Sequence, residues 1–154
     1  MSVRTVAHLN FHGQARAALE FYESVFGGQA VLNTYGDFGM PADAPDAAKV
    51  VYGEVVADSG FRVMAYDVPG ATAPSAAAAS STRREHGLTH TTEPFFLSVR
   101  GESIEEVTAL WKGLAEGATV IEEFGPAQWA PAFGMLRDRF GVTWILDVAS
   151  EQLK

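Results

Sequence analysis

An internal repeat constrains the fold of this chain more than any other feature of its sequence. Residues 19–36, LEFYESVFGGQAVLNTYG, correspond in physical type to residues 108–125, TALWKGLAEGATVIEEFG. Both stretches read as the end of an amphipathic helix, a glycine stop, a short apolar strand, an aromatic residue and a second glycine. The flanking elements recur in the same order. Because internal self-similarity indicates a repeated structural unit, the sequence predicts a duplicated βαβββ module.

The first half of the chain has the hydrophobic periodicity of one such module. Residues 4–12 alternate apolar and polar side chains, which predicts a half-buried strand. Residues 14–26 carry apolar side chains at spacings of three and four, which predicts a helix ended by a glycine pair. Further strands are predicted at residues 29–35, 49–57 and 61–68, and a tight turn joins the last two.

The second half repeats this order. Its predicted helix begins at Ser103, where Glu106 completes a capping box, and ends before Gly117. Strands are predicted at residues 94–100, 118–124, 134–139 and 142–148. The last of them ends in Leu146-Asp147-Val148, which echoes Tyr66-Asp67-Val68 at the end of the first half, so Asp67 and Asp147 are expected to occupy equivalent places. Eight strands and two helices therefore predict an α+β fold, in a single domain of two pseudo-repeats that cover about residues 3–68 and 93–149.

The segment between the two halves, residues 69–92, has no helix or strand pattern. Structureless loops longer than about 12–15 residues are uncommon in compact domains unless they are functional or mobile. The segment is interpreted as a flexible loop that connects the halves. The alternative is a flexible cover over a pocket.

Composition excludes several classes of function. The net charge of −8 and the scattering of the basic residues, of which only Arg83 and Arg84 are adjacent, argue against binding to nucleic acid or to anionic membrane surfaces. The absence of cysteine excludes disulfides, a thiolate nucleophile and Cys-ligated zinc. With no signal peptide and no apolar run of about 20 residues, a cytoplasmic location is expected.

Three runs of residues resemble the vicinal oxygen chelate superfamily, which includes glyoxalase I, bleomycin-resistance proteins and extradiol dioxygenases. They are FYESVFGG after the first strand, DFGMP in the following loop, and RFGVTWILDV near the end. Their arrangement is most similar to the PhnB-type branch. The resemblance implies a glyoxalase-like fold, with curved mixed or antiparallel sheets around a cavity, and assembly as a homodimer. Whether the modules pair within one chain or across two stays open.

In the metal enzymes of that superfamily, His and Glu side chains on the first and last strands of each half hold one divalent ion. The resemblance places these positions at Val6 or Ala7, near Pro94, at Ile145 and near Ala65. None of these side chains binds a metal ion. The resemblance therefore implies that the usual metal site is absent, and no cofactor is predicted.

Seven side chains are candidate pocket residues: His8, Asn10, Tyr52, Glu54, Phe96, Trp129 and Phe133. His8 and Asn10 share the polar side of a strand, which the resemblance points into the cavity. Aromatic side chains can stack on a flat ligand, although ordinary packing is the alternative for Trp129. Glu54 is either a buried general base or the partner of Arg62 across the hairpin, and the ion pair is favoured.

Two functional hypotheses follow. The first is a protein that binds a small organic molecule in a metal-free cavity, with an acidic surface that would attract a cationic ligand. The alternative is a metal-dependent lyase, isomerase or dioxygenase that uses His8, Glu54 and one of His86 or His90 as unusual ligands. The substituted ligand positions favour the first, and whether the chain is an enzyme stays open. The methyltransferase label of some PhnB-type proteins is rejected, because no G-x-G turn follows the first strand.

Overall fold

The computed structural model describes residues 3–70 and 81–150, and each of these two ranges forms a compact unit. The first unit contains the elements β1 (Ala7–Phe11), α1 (Ala15–Phe26), β2 (Gln29–Thr34), a 3₁₀ turn (Gly36–Phe38), β3 (Val50–Val56) and β4 (Arg62–Asp67). Its four strands form one sheet in the order β1-β4-β3-β2. The β1–β4 pair is parallel and the other pairs are antiparallel, so the sheet is mixed.

The second unit contains β5 (Arg83–Glu85), β6 (Leu88–His90), β7 (Leu97–Gly101), α2 (Ile104–Ala115), β8 (Thr119–Gly125), β9 (Ala132–Arg137) and β10 (Thr143–Val148). Its main sheet has the order β7-β10-β9-β8, again with a parallel first pair. The second unit therefore repeats the topology of the first. The predicted α+β fold of tandem βαβββ modules is confirmed.

Each helix packs its apolar stripe on one face of its own sheet. The buried side chains of these stripes are Ala15, Ala18, Leu19 and Tyr22 in α1, and Val107, Trp111 and Leu114 in α2. Ser103 caps the start of α2 as predicted, because its hydroxyl accepts a hydrogen bond from the Glu106 N–H at 3.2 Å. Neither helix within residues 3–70 and 81–150 has the length and apolar character that a membrane span requires.

Two glycines identify the face of each sheet that the helix covers. A Cβ atom added at Gly53 would collide with Leu19 of α1, and one added at Gly134 would lie 2.8 Å from the Trp111 ring of α2. Side chains alternate between faces along a strand. The neighbours of these glycines in β3 and β9 therefore point to the opposite face, which we term the open face of each unit.

The prediction that residues 69–92 form a loop without strands is wrong for residues 83–90, where β5 and β6 form an antiparallel hairpin. Residues 71–80 of that segment lie outside the described residues. His86 and Gly87 form the turn, with φ angles of 53° and 76°, as a tight turn matched to the twist of a hairpin requires. His86 and His90 are four residues apart, a spacing that would place both imidazoles on one face of a helix, but they lie on a turn and a strand instead.

The structural equivalence of the two units differs by one residue from the sequence echo of Tyr66-Asp67-Val68 and Leu146-Asp147-Val148. Gly53 pairs with Ala65, and Gly134 pairs with Leu146, so Ala65 corresponds to Leu146. The expectation that Asp67 and Asp147 occupy equivalent places is therefore wrong. A shift of one residue along a strand exchanges the two faces of the sheet.

Candidate functional site

The open face of the first unit carries four of the predicted pocket residues. His8 lies opposite Met64, and Met64 lies opposite Glu54, so these three side chains form one row across β1, β4 and β3. Asn10 and Tyr52 lie two residues away from His8 and Glu54 on the same strands. Strand alternation therefore places His8, Asn10, Tyr52 and Glu54 on one face. The structure brings them to a common surface within this unit.

Glu54 is held by two donors on this face. The residue is 8% exposed, and its carboxylate accepts a hydrogen bond from Arg62 Nη2 at 2.7 Å and one from the Tyr52 hydroxyl at 3.3 Å. The ion pair with Arg62 across the hairpin, which the sequence favoured, is confirmed. Each carboxylate oxygen is thus already engaged within the protein, which leaves Glu54 poorly placed to take a proton from a ligand.

Replacing Glu54 with glutamine is expected to lower the pKa of Tyr52. Burial raises the pKa of Tyr52 above its ordinary value, and the charge and hydrogen bond of Glu54 raise it further, while Arg62 acts in the opposite direction. Removing the carboxylate charge removes a cause that disfavours the phenolate. A pH titration of the tyrosine ¹³Cζ resonances measures the effect, and Tyr52→Phe assigns the resonance. The pKa of Tyr35, which burial also raises, should stay unchanged; an unmoved Tyr52 contradicts the prediction.

His8 has neighbours of its own at the edge of the open face. A distance of 3.1 Å joins His8 Nδ1 to Asn10 Oδ1, and the imidazole meets the Tyr66 ring edge-on with centroids 5.2 Å apart. Both His8 and Asn10 are exposed to solvent. The imidazole is therefore positioned by its neighbours and accessible from the open face.

The residues of both open faces do not fit the metal centre of the superfamily's enzymes. The central open-face positions on the first and last strands are His8 and Met64 in the first unit and Ser98 and Ile145 in the second. Met64, not Ala65, is the counterpart of Ile145, because Ala65 faces α1. Of these four side chains only His8 is a metal ligand of the usual kind. Across the described residues, no three His, Asp or Glu side chains lie close enough together to hold a metal ion.

The open face of the second unit is covered by the β5–β6 hairpin and the residues around it. The Thr89 hydroxyl of β6 contacts Met135 Sδ at 3.7 Å, and Arg84 of β5 lies above Phe133. The Thr143 hydroxyl of β10 donates to both oxygens of Glu93, at 3.1 and 3.0 Å, and Thr82 also donates to Glu93. These contacts fasten the segment at both of its ends. Residues 82–93, which we term the roof, thus cover the open face of the second unit.

The aromatic residues predicted for the pocket meet an arginine of this roof. The rings of Trp129 and Phe133 contact each other edge-on, with centroids 5.2 Å apart. The Arg84 guanidinium carbon lies 5.7 Å from the Trp129 centroid and 5.2 Å from the Phe133 centroid, which is cation–π distance. The two rings therefore hold Arg84. Phe96, the seventh candidate, precedes β7 and is half-buried.

A cavity of about 260 Å³ lies between this roof and the sheet. Its lining residues are Thr82, Arg83, Arg84, Glu93, Thr119, Val120, Ile121 and Arg137. None of the seven predicted pocket residues is among them, although Trp129 and Phe133 support Arg84 from below. The adjacent pair Arg83-Arg84 was a sequence signal for this cavity. It was not recognised as one because the pair lies in the segment interpreted as a connecting loop.

Comparisons with known proteins agree with this architecture. The model of the Glyoxalase/Bleomycin resistance protein/Dioxygenase superfamily matches residues 5–146. Protein YjdN of Escherichia coli is 23% identical over 152 residues, which cover 94% of this chain and 95% of that protein. The crystal structure of protein PA1353 from Pseudomonas aeruginosa has a TM-score of 0.73 and 30% identity, over 96% of this chain and 98% of that one. A putative 3-demethylubiquinone-9 3-methyltransferase, PhnB protein, from Bacillus cereus has a TM-score of 0.67 and 22% identity, over 96% and 100% of the two chains.

The family match spans most of the chain, and the two βαβββ units supply the corresponding fold. The chain belongs to the glyoxalase/bleomycin resistance protein/dioxygenase superfamily.

Proposed function

We propose that this protein binds a small organic molecule in the cavity of its second unit, without a metal ion. The observation that carries the proposal is the cavity itself, a half-open cleft between the β5–β6 hairpin and the sheet. Its volume of about 260 Å³ is slightly below the range of drug-sized sites, which suits a compact ligand. Its lining combines the apolar Val120 and Ile121 with charged and hydroxyl side chains, the mixture that typically orients a ligand.

The binding hypothesis is better supported than the enzymatic one. A metal-dependent lyase, isomerase or dioxygenase of this superfamily needs ligands that converge on one ion. In the first unit, Glu54 is engaged by Arg62 and Tyr52, and Met64 lies between Glu54 and His8. In the second unit, Ser98 and Ile145 occupy the central positions. The cavity, by contrast, is built from side chains that recognise a ligand directly.

Filling the cavity tests this function. Thr119 is exposed, lines the cavity and lies opposite Arg137, so Thr119→Trp should occupy the space with limited strain on the core. A fragment library with neutral, anionic and cationic members is screened by ligand-observed NMR. Fragments that bind the wild type should lose binding to Thr119→Trp and keep it in Thr5→Trp, a control at an exposed threonine of the other unit. A library without hits, or hits unaffected by Thr119→Trp, contradicts the proposal.

Metal content and assembly are measured on the same untagged protein. We expect elemental analysis to give far less than one divalent ion per chain and chelator to leave the melting temperature unchanged. Stoichiometric metal with a chelator-induced fall in melting temperature would instead support the enzymatic alternative.

A homodimer is part of the proposal, supported by the exposed Val31, Tyr52 and Val56 on the open face of the first unit. Sedimentation velocity tests it, and a monomeric mass contradicts it.

A further inference from the structure

We propose that the cavity of the second unit takes an organic anion, a carboxylate or a phosphate, whose charged group binds between Arg84 and Arg137. This inference rests on the proposed ligand-binding function and adds the chemical class of the ligand. It differs from what the net charge of −8 suggests, because a chain of this charge attracts cations at long range. The contacts inside the cavity lead to the opposite preference.

The charged side chains of the cavity leave an excess of positive charge. Three arginines and one carboxylate, Glu93, line it. The Glu93 oxygens accept hydrogen bonds from the hydroxyls of Thr82 and Thr143, so this carboxylate is held by neutral donors. Arg83 has its own partner in Glu85, at 2.9 Å on the solvent side of the hairpin. Arg84 is partly balanced by Glu122, at 3.6 Å from its Nη2, so Arg137 is the arginine of the cavity whose charge is not balanced by an ion pair among the described residues.

Arg137 is the stronger of the two anchors. It lies on β9, opposite Thr119 on one side and Thr143 on the other. Its Nε atom is buried, and among the described residues it has no hydrogen-bond partner. Nor does any carboxylate within the described ranges form an ion pair with the Arg137 guanidinium. A buried donor without a partner costs free energy, which an anionic ligand would recover.

Arg84 provides a second guanidinium that is already held in place. Its side chain is 10% exposed, lies over the Trp129 and Phe133 rings, and donates from Nη1 to the Thr89 hydroxyl at 3.0 Å. The nearest carboxylate, that of Glu122, is 3.6 Å from Nη2, which is too far for a strong hydrogen bond. Its Nε is also buried without a partner among the described residues. A guanidinium fixed in this way loses little side-chain entropy when a ligand binds.

The remaining lining defines the rest of the ligand. Val120 and Ile121 of β8 contribute an apolar wall beside the arginines. A small molecule with an apolar body and one anionic group would match both surfaces. The planar guanidinium fork recognises carboxylate and phosphate oxygens in the same bidentate manner, so both groups are within the proposed class.

A charge series of similar shape tests the inference. Phenyl phosphate, benzoate, benzyl alcohol and benzylammonium are titrated into the wild-type protein by calorimetry, in phosphate-free buffer of constant ionic strength. We expect the two anions to bind at least about tenfold more tightly than the neutral and cationic probes, as charged hydrogen bonds normally require. Arg137→Gln should weaken the binding of both anions by about tenfold or more. Arg16→Gln, the same change at an exposed helix position of the other unit, should have no effect.

The outcomes separate the ligand class from the function. If benzyl alcohol or benzylammonium binds as tightly as the anions and Thr119→Trp abolishes that binding, the cavity binds ligands but the anionic class is wrong. Anion binding that persists in Arg137→Gln overturns the assignment of that residue. If no probe and no library member binds, both the inference and the proposed function fail. Thermal unfolding of each variant shows that lost binding reflects a lost contact and not an unfolded chain.

Discussion

Replacing Asp67 with alanine is expected to lower the free energy of unfolding by about 3–5 kcal/mol. Asp67 is 1% exposed, and its carboxylate accepts hydrogen bonds from the backbone N–H groups of Gly13, Ala15 and Val50, at 2.7, 3.0 and 3.0 Å. It thereby ties the end of β4 to the start of both α1 and β3. Alanine would leave two buried donors, the N–H groups of Ala15 and Val50, and the part-buried N–H of Gly13 without this acceptor, which costs more than the bonds themselves contribute. Urea unfolding followed by circular dichroism measures the change.

Asp147 provides a matched control for this experiment. Its carboxylate receives Arg100 Nε and Nη2 at 3.0 and 2.9 Å, but the Arg100 side chain is half exposed, so water can replace the lost acceptor. Asp147→Ala should therefore destabilise the protein much less than Asp67→Ala. Equal losses in the two variants, or a loss below about 1 kcal/mol for Asp67→Ala, would show that Asp67 does not organise the first unit.

The single substitution Gly28→Ala is expected to lower the free energy of unfolding by about 3–5 kcal/mol. Gly28 has a φ angle of 86°, in the left-handed region that a side chain disfavours. A Cβ atom at this position would collide with the Val56 carbonyl oxygen and lie 2.7 Å from Ala57 Cα. Both obstacles are backbone atoms at the end of β3, so a change of rotamer cannot relieve the collision. The chain between α1 and β2 would have to move.

The neighbouring glycine separates backbone strain from steric collision. Gly27 has a φ angle of 78°, but a Cβ atom there would meet nothing within 4 Å. With a ψ angle of −166°, Gly27 lies in a region that is essentially restricted to glycine, so Gly27→Ala should cost the backbone strain alone, about 1–3 kcal/mol. Chemical denaturation of both variants measures the difference. If the two glycines prove equally replaceable, the close approach of Gly28 to β3 is not a constraint on the fold.

The main elements of the fold could be predicted because their side chains follow strong periods. The stripe of α1 and the alternation of β1 each persist long enough to identify the element and its buried face. The hairpin of residues 83–90 could not be predicted in this way. Its strands have three residues each, and its turn places His86 at a positive φ angle that side-chain chemistry alone does not indicate.

Which residues of the two units correspond was harder to predict than where the strands lie. The two aspartates near the ends of β4 and β10 match as letters, but Asp67 bonds to the start of α1 whereas Asp147 lies on the open face with Arg100. Only the pairing of Gly53 and Gly134 with their neighbours fixes the register. Comparing the two sequences cannot detect a shift of one residue between the strands. Which residue of each strand faces the helix is known only from the strand pairing in the structure.

The candidate site was predictable where its residues share one hairpin. Glu54 and Arg62 lie on adjacent strands joined by a short turn, so their ion pair followed from local pairing. The cavity of the second unit depends on the packing of residues 82–93 against β8, β9 and β10, which no local pattern encodes. Trp129 and Phe133 are close in sequence, but their contacts with Arg84 span 45 and 49 positions of sequence.

The β5–β6 hairpin also offers an attachment point for a dye that would report the proposed ligand binding. The chain contains no cysteine, so a single engineered thiol would be the sole target of a thiol-reactive dye. Leu88 is 61% exposed and lies beside the turn, on the hairpin whose other strand carries Arg84. A dye coupled through Leu88→Cys would be attached outside the cavity to one of its walls. A ligand that alters the position or hydration of this wall would then change the emission of the dye, and the fluorescence would report occupancy without any label on the ligand.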